Sequence, residues 1–394
     1  MRKITPDVYE VGAIDFDARL FDRLIPLPDG TSYNSYLIKG SEKTALLDTV
    51  DPAKTSFLID NLAKTGVETI DYVISHHAEQ DHSGSIPDIL TLYPEAKVVT
   101  NPKCKDMLLE LLEVEEKQFI TVEDKEELSL GDKTLQFYYT PWVHWPETMG
   151  TYLKEDKIYF SCDFFGAHLA TSKLFVEDTA EVYEPAKRYY AEIMMPFRKP
   201  IVSNLKKLEE IEIDILAPSH GPIYKGPEFI MNAYKEWIAE ETVKNEVVLS
   251  YVSMHGSTAR MVSHFVEALI DRGVHVRQFE LGTIDVGKLA IALVDAATLV
   301  IGSPTVLVGA HPAAAYAVFF ANALRPKIKY ASIIGSYSWA GKMTEELTGM
   351  MQNMKAEILE PVVAKGHPSD EDYKKLDELA DKILARHKEL GIVN

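Results

Sequence analysis

At 394 residues, with 46% hydrophobic and 26% charged side chains, the chain has room for two or three domains with buried cores. Its formal net charge of −19 would repel phosphate backbones, which argues against general nucleic-acid binding. No stretch reaches the ~18 apolar residues of a membrane span, residues 1–20 lack a signal-peptide core, and the 2 cysteines, Cys104 and Cys162, make no CxxC, so no membrane partner and a reducing, cytoplasmic setting are expected.

In chain order, "NSYLIKG" and "TALLDTV" read as strands joined by a turn at "SEK", followed by a helix over 52–65. "DYVISHH" (71–77) reads as a short apolar strand, a helix follows from about Ser85, and "AKVVTN" (96–101) is strand again. Residues 128–162 add three strands with tight turns. A helical stretch covers roughly 180–210, and "DILAPSH" (214–220) returns to strand. Grouped strands with helices between the groups predict a mixed αββα layering of two sheets covered by helices.

From Glu246 the pattern changes to strict alternation. "EVVLSYVS", "VHVRQFEL", "ATLVIGSP", "YASIIGSYS" and "EILEPVVAKG" are each followed by a helical segment: 258–271, a short helix, 312–323, 341–354 and 369–388. Five such units predict a doubly wound parallel sheet. The polar helix at 232–245 places the boundary, giving domains 1–245 and 246–394.

The densest chemistry lies in "SHHAEQDHSG" (75–84). His77, Glu79 and Asp81 are spaced by two, which on an extended chain points their side chains the same way, with His82 beside them where the chain turns. His144, Asp163 and His220 each end or follow a strand, where mixed folds place their sites. So many ligand-type residues in matching contexts predict a metal centre. Glu79 adds a hard carboxylate to the imidazoles, which suits iron better than the imidazole-rich sets of zinc hydrolases.

"HHAEQDH" resembles the HxHxDH signature of the metallo-β-lactamase superfamily, with Glu79 in place of the second histidine. HxExDH followed by His144, Asp163 and His220 resembles the flavodiiron proteins, and the likeness covers essentially the whole chain. It implies two non-haem irons, one held by His77, Glu79 and His144 and the other by Asp81 and His220. Asp163 would bridge them, and His82 is not always a ligand in that family. His76 has no place in the motif, Trp145 is expected to orient His144 by packing, and His168 is expected to line the pocket.

A second constellation is the loop Ser253, Met254, His255, Gly256, Ser257, Thr258, which offers hydroxyls and free amides at a helix N-terminus but no Walker lysine. It resembles flavodoxin's grip on the FMN phosphate. Ser303, Pro304 and Thr305, with Ser336, Tyr337, Ser338, Trp339, Ala340 and Gly341, sit on the loops that wrap the flavin in flavodoxin-like folds, and Trp339 could stack on it. "PTVLVGAHPAAA" departs from that pattern through a missing asparagine and through His311.

The resemblance implies an oxidoreductase that reduces dioxygen or nitric oxide, built as a head-to-tail homodimer or a dimer of dimers. Its external electron donor would be rubredoxin or a reduced deazaflavin. The rival readings are a dinuclear zinc hydrolase with a flavodoxin-like regulatory domain, against which Glu79 argues, and an electron carrier with a vestigial metal site.

Overall fold

Period-two alternation along the strands decides the architecture of residues 1–238. In the computed structural model, which describes residues 1–393, one sheet has seven strands. Their order is Arg2–Lys3, Val8–Glu10, Tyr36–Lys39, Thr44–Leu47, Tyr72–Ile74, Lys97–Thr100 and Phe119–Thr121. The first three pairings are antiparallel and the last three parallel. A second sheet of six strands runs Glu127–Ser129, Thr134–Tyr139, Met149–Leu153, Ile158–Cys162, Ile215–Pro218 and Tyr224–Lys225.

Leu37, Leu46, Val73 and Val98 face Leu58, Leu62, Ile86, Ile89 and Leu108 on the covering helices. Their chain neighbours Ile38, Leu47, Ile74 and Val99 face Leu135, Phe137, Ile158, Phe160 and Ala217 of the other sheet. Successive side chains alternate between the two cores, and each buried Leu, Ile or Phe contributes about 1.5–3 kcal/mol. The αββα layering predicted from the grouped strands is what forms.

Three local expectations are corrected. The strand Tyr72–Ile74 ends before the histidines, and a single helical turn, Gln80–Ser83, precedes the helix Ile86–Leu92. Asp81 and His82 therefore sit in a turn of helix, and the extended-chain argument for aligning 77, 79 and 81 fails at Asp81. The helical stretch near 180–210 is interrupted: Thr179–Tyr189 passes through a π-helical turn, Tyr190–Met194, and a tight turn, Met195–Phe197, before Arg198–Leu208. Pro196, with no amide hydrogen to donate, accounts for the break. Likewise "EILEPVVAKG" is two short strands, Glu357–Ile358 and Val362–Lys365, with Pro361 between them.

The second part of the chain is a parallel sheet in the order His275–Glu280, Lys244–Tyr251, Ala296–Val306, Tyr330–Tyr337, with the two short strands sharing the far side of Tyr330–Tyr337. Helices Ser257–Asp271 and Asp370–Glu389 pack Phe265, Leu269, Leu376 and Ile383 against Val247, Leu249, Val300 and Ile334. Helices Val286–Asp295 and Pro312–Leu324 contact the same central strands, so the sheet is doubly wound. The chain divides into two compact units, Met1–Tyr190 with Phe197–Ile238, and Ala191–Pro196 with everything from Ala239.

Candidate metal centre and flavin cleft

The ligand-type residues of the first unit converge in two groups. His77, Glu79, His144 and Asp163 offer donor atoms within 4.8 Å of one another, and so do Asp81, His82 and His220. Asp163 touches both groups through different oxygens. Its Oδ2 lies 3.5 Å from His77 Nε2 and 3.4 Å from His144 Nε2, while its Oδ1 lies 3.0 Å from His82 Nε2 and 3.3 Å from His220 Nε2. Glu79 Oε2 is 3.1 Å from His77 Nε2 and 3.2 Å from His144 Nε2. Asp81 sits 3.4 Å from His82 and 3.3 Å from His220. Adjacent ligands of a six-coordinate ion with bonds of about 2.1 Å stand about 3 Å apart, so these separations are compatible with donors arranged around metal ions.

The donors are also left wanting a cation. Both oxygens of Asp81, Oδ2 of Asp163 and Nε2 of His82 are buried with no hydrogen-bond partner. Several buried, unsatisfied carboxylate and imidazole atoms aimed at one point would each cost kcal/mol without a positive centre. Burial lowers the histidine pKa values, but the facing carboxylates outweigh it. His77, His82 and His144 are raised to about 9 and His220 to about 10, while burial opposes and the histidines impose a strong lowering of Asp163.

Partners outside the two groups turn the rings. His77 Nδ1 donates to Glu147 Oε1 at 2.7 Å, and the same oxygen accepts from the Ala78 amide. His220 Nδ1 donates to the Ser32 carbonyl at 2.7 Å, and His82 Nδ1 faces Cys162 Sγ at 4.0 Å. Each ring thus presents Nε2 inward, the arrangement by which metal-binding imidazoles are oriented. Tyr189 donates its hydroxyl to Asp163 Oδ1 at 2.9 Å, and Trp145 stands edge-on to His77 with ring centroids 4.9 Å apart. Its ring also comes within 6.2 Å of His144, so its packing serves both histidines.

His76 stays outside both groups. Its Nδ1 and amide bind Asp48, at 2.6 and 2.8 Å, and its Nε2 meets Thr151 Oγ1 at 2.7 Å, which pins the chain where His77 turns inward. His168 also lies outside them. It is buried, its Nδ1 meets Thr31 Oγ1 at 2.9 Å, and its ring packs on Tyr189, Phe21 and His220. Burial and the His220 charge hold it well below the ordinary imidazole pKa. Sequence reading missed Glu147, Tyr189 and Asp48. "HWPETM" did contain a signal for the first, a carboxylate three residues after a candidate ligand.

In the second unit a cleft of about 120 Å³ opens at the strand ends, lined by Ser253, Met254, His255, Ser257 and Thr258, then Pro304, Thr305, Ser336, Tyr337 and Ser338, and by Gly366, which sequence reading missed. Gly256 precedes the helix Ser257–Asp271 at φ 89°, a conformation that suits glycine, and supplies no side-chain cap; the Ala259 amide is held by Ser253 Oγ, which leaves the Ser257 and Thr258 amides of the first turn for an anion. The Thr305 hydroxyl is buried without a partner. Both features fit a phosphorylated, hydroxyl-bearing ligand such as FMN. Ser303 is committed elsewhere, donating to Pro304 O and accepting from the His311 amide. Gly256, Ser303, Trp339, Ala340 and Gly341 do not line the cleft, and Trp339 is 77% exposed. His311 has a structural explanation: its Nδ1 caps the helix Pro312–Leu324 by accepting from the Ala313 amide.

Residues 31–221 match the model of the ODP family beta lactamase. The nitric oxide reductase of Moorella thermoacetica is 34% identical, covering 97% of this chain and 98% of that one. The coenzyme F420H(2) oxidase of Methanothermobacter marburgensis is 32% identical, with 90% of each covered. Among solved structures, the rubredoxin oxygen:oxidoreductase of Desulfovibrio gigas superposes with a TM-score of 0.94 at 29% identity over 99% of both chains. The flavodiiron protein of Giardia intestinalis gives a TM-score of 0.91 at 27% identity, over 99% of this chain and 97% of that one. With two ligand groups sharing one aspartate, a phosphate-ready cleft, and relatives matched along nearly their full length, the chain belongs to the flavodiiron family of type A flavoproteins.

Proposed function

We propose that this chain is an oxidoreductase that reduces dioxygen to water, nitric oxide to nitrous oxide, or both, at a diiron centre served by FMN. The first unit, which ends at Ile238, would be the diiron domain and the second, from Ala239, the FMN domain, a division a few residues before the 245 expected from the sequence. The observation that carries the reading is the position of Asp163, one oxygen toward each ligand group. His77, Glu79 and His144 would hold one iron and Asp81, His82 and His220 the other, with Asp163 between the two groups. The zinc-hydrolase alternative loses support because a mixed carboxylate–imidazole set favours iron.

When bound, the irons supply redox equivalents and Lewis acidity, and FMN replenishes the electrons. Reducing dioxygen to two waters takes four electrons and four protons; reducing two nitric oxides to nitrous oxide and water takes two of each. The chain's own residues prepare the site. Glu147 holds the His77 ring, Tyr189 fixes Asp163, and Trp145 lines the cavity with an apolar wall.

The names of the relatives support rubredoxin or a reduced deazaflavin as external donor. Among the described residues no helix is long and apolar enough to cross a membrane, and with two buried free cysteines this supports a cytoplasmic setting. A head-to-tail homodimer, alone or paired into a dimer of dimers, is the proposed assembly. Exposed Met254 and Trp339 neighbour the flavin cleft, and exposed Leu20 lies at the metal cavity, so both sites have apolar rims for a second copy to cover.

Glu79→Ala or Asp163→Asn is expected to abolish gas reduction while FMN stays bound, measured by anaerobic assays with each gas and reduced rubredoxin. Turnover persisting in an iron-depleted Glu79→Ala protein would sink the diiron assignment.

A further inference from the structure

A cavity of about 490 Å³ lies above the metal ligands, with Glu79 and Asp81 in its lining beside the apolar Leu111 and Trp145. Glu79 comes from one ligand group and Asp81 from the other, so both groups border this space. The mouth carries two further carboxylates, Asp22 and Asp51. Asp51 is engaged locally, its Oδ1 accepting from the Ala53 amide. Asp22 is not: among the described residues it takes part in no ion pair and its carboxylate accepts no hydrogen bond.

The fold holds Asp22 there. Leu20–Phe21 and Ile25–Pro26 form a short hairpin whose tip, Asp22 and Arg23, is left-handed at both residues, with φ of 49° and 54°. The Leu24 amide closes the turn onto the Phe21 carbonyl at 3.0 Å. Phe21 packs on His168 with centroids 5.1 Å apart, which anchors the hairpin beside the site. Nearby cations are committed elsewhere: Lys54 pairs with Asp15 at 2.8 Å, and Arg19 donates to the Phe16 and Ala18 carbonyls. Arg23 does not line the cavity. Partial burial first, then the charges of Glu79 and Asp81 against that of His144, raise the Asp22 pKa, and Asp22 lines the same cavity as both of those carboxylates.

We infer that Asp22 is a specificity-determining residue that sorts entrants by charge, passing neutral diatomics and slowing anions. The inference rests on the diiron reading and adds a selection step to it. Dioxygen and nitric oxide carry no charge and cross the rim without electrostatic penalty. Azide, nitrite and other small anions, which an iron centre would otherwise collect, meet a negative charge first. Because Asp22 is exposed, its field is screened by salt, and a rim charge of this kind acts on the association rate.

The test uses the iron-loaded, FMN-bound protein. Azide association with the oxidised centre is followed by stopped-flow absorbance, and nitric oxide association with the reduced centre serves as the neutral control. Asp22→Asn keeps the left-handed turn accessible, since Asn tolerates that conformation. It is expected to speed azide association about three- to tenfold at low ionic strength, with the gap closing near ~0.5 M salt and the nitric oxide rate unchanged. Asp22→Glu, which restores the charge, is expected to return azide to the wild-type rate. Equal azide rates in Asp22→Asn and wild type at low salt would overturn the inference, and so would a matching change in the nitric oxide rate, which would mean a steric effect. If metal analysis finds no iron retained by the wild type after loading and desalting, the diiron reading fails and takes the gate with it.

Discussion

In the proposed reading Glu79 and Asp163 carry most of the chemistry, and both were visible in the sequence because carboxylates beside ligand-type histidines stand out. Glu147 was harder to see, because its role depends on a 2.7 Å contact with His77 across 70 residues. A carboxylate that orients a metal-bound imidazole typically matters by 10–100-fold in metal affinity. Glu147→Gln should therefore weaken iron binding by about that factor in a chelator competition, with FMN occupancy unchanged. The histidine pKa values near 9 to 10 in the ion-free site set a second expectation. At pH 7 these rings hold protons that a metal ion must displace, so metal uptake releases protons and affinity falls on acidification. Calorimetric titration in two buffers of different ionisation enthalpy measures that release; identical apparent enthalpies would contradict it.

At the scale of elements, the loop into Ser257–Asp271 depends on Gly256 for its backbone and on hydroxyls for its chemistry. Thr258 Oγ1 lies 3.2 Å from Ser336 Oγ, and Ser253 Oγ accepts from the Ala259 amide, so both residues also shape the cleft they line. Ser253→Ala combined with Thr258→Ala should weaken FMN at least about tenfold, each charge-assisted hydrogen bond being worth ~1.5–3 kcal/mol. Unchanged flavin occupancy after dialysis would remove the phosphate-loop assignment.

The helix Asp370–Glu389 supplies a pH-sensitive contact through His387, buried between Thr298 Oγ1 at 2.8 Å and Asn245 Oδ1 at 2.8 Å. Burial lowers its pKa from 6.5 to about 4. Between those values the unfolded chain binds the extra proton, so this contribution is complete above about pH 6.5. It is lost as pH falls toward 4, up to about 3 kcal/mol in all. Urea unfolding at pH 5 and pH 7.5 should show a smaller pH difference in His387→Gln than in wild type.

At the scale of the molecule, a proposed head-to-tail pair makes activity depend on concentration. Gas reduction per chain should fall on dilution in step with loss of dimer in sedimentation, whereas flavin reduction by a chemical reductant should not. The two-unit plan was legible because helix-separated groups of strands gave way near residue 245 to regular strand–helix alternation, two periodicities that build different sheets. The short segment Ala191–Pro196, which groups with the second unit, gave no such sign, because its assignment depends on distant contacts.

The sequence by itself determined both fold classes and pointed to the candidate ligand residues, with Glu79 as the one that favours iron, since composition and periodicity are local properties of the chain. Only the tertiary structure brought the donor atoms within reach of one another and gave His82 its place among them. Asp81 left the line of His77 and Glu79 because residues 80–83 coil into a helical turn, and His82 joined Asp81 and His220. It also decided that His76 anchors on Asp48, that His311 is a helix cap, and that Asp22 stands at the mouth of the cavity. Those roles depend on which residues distant in the chain meet in space, and no spacing along the sequence encodes them.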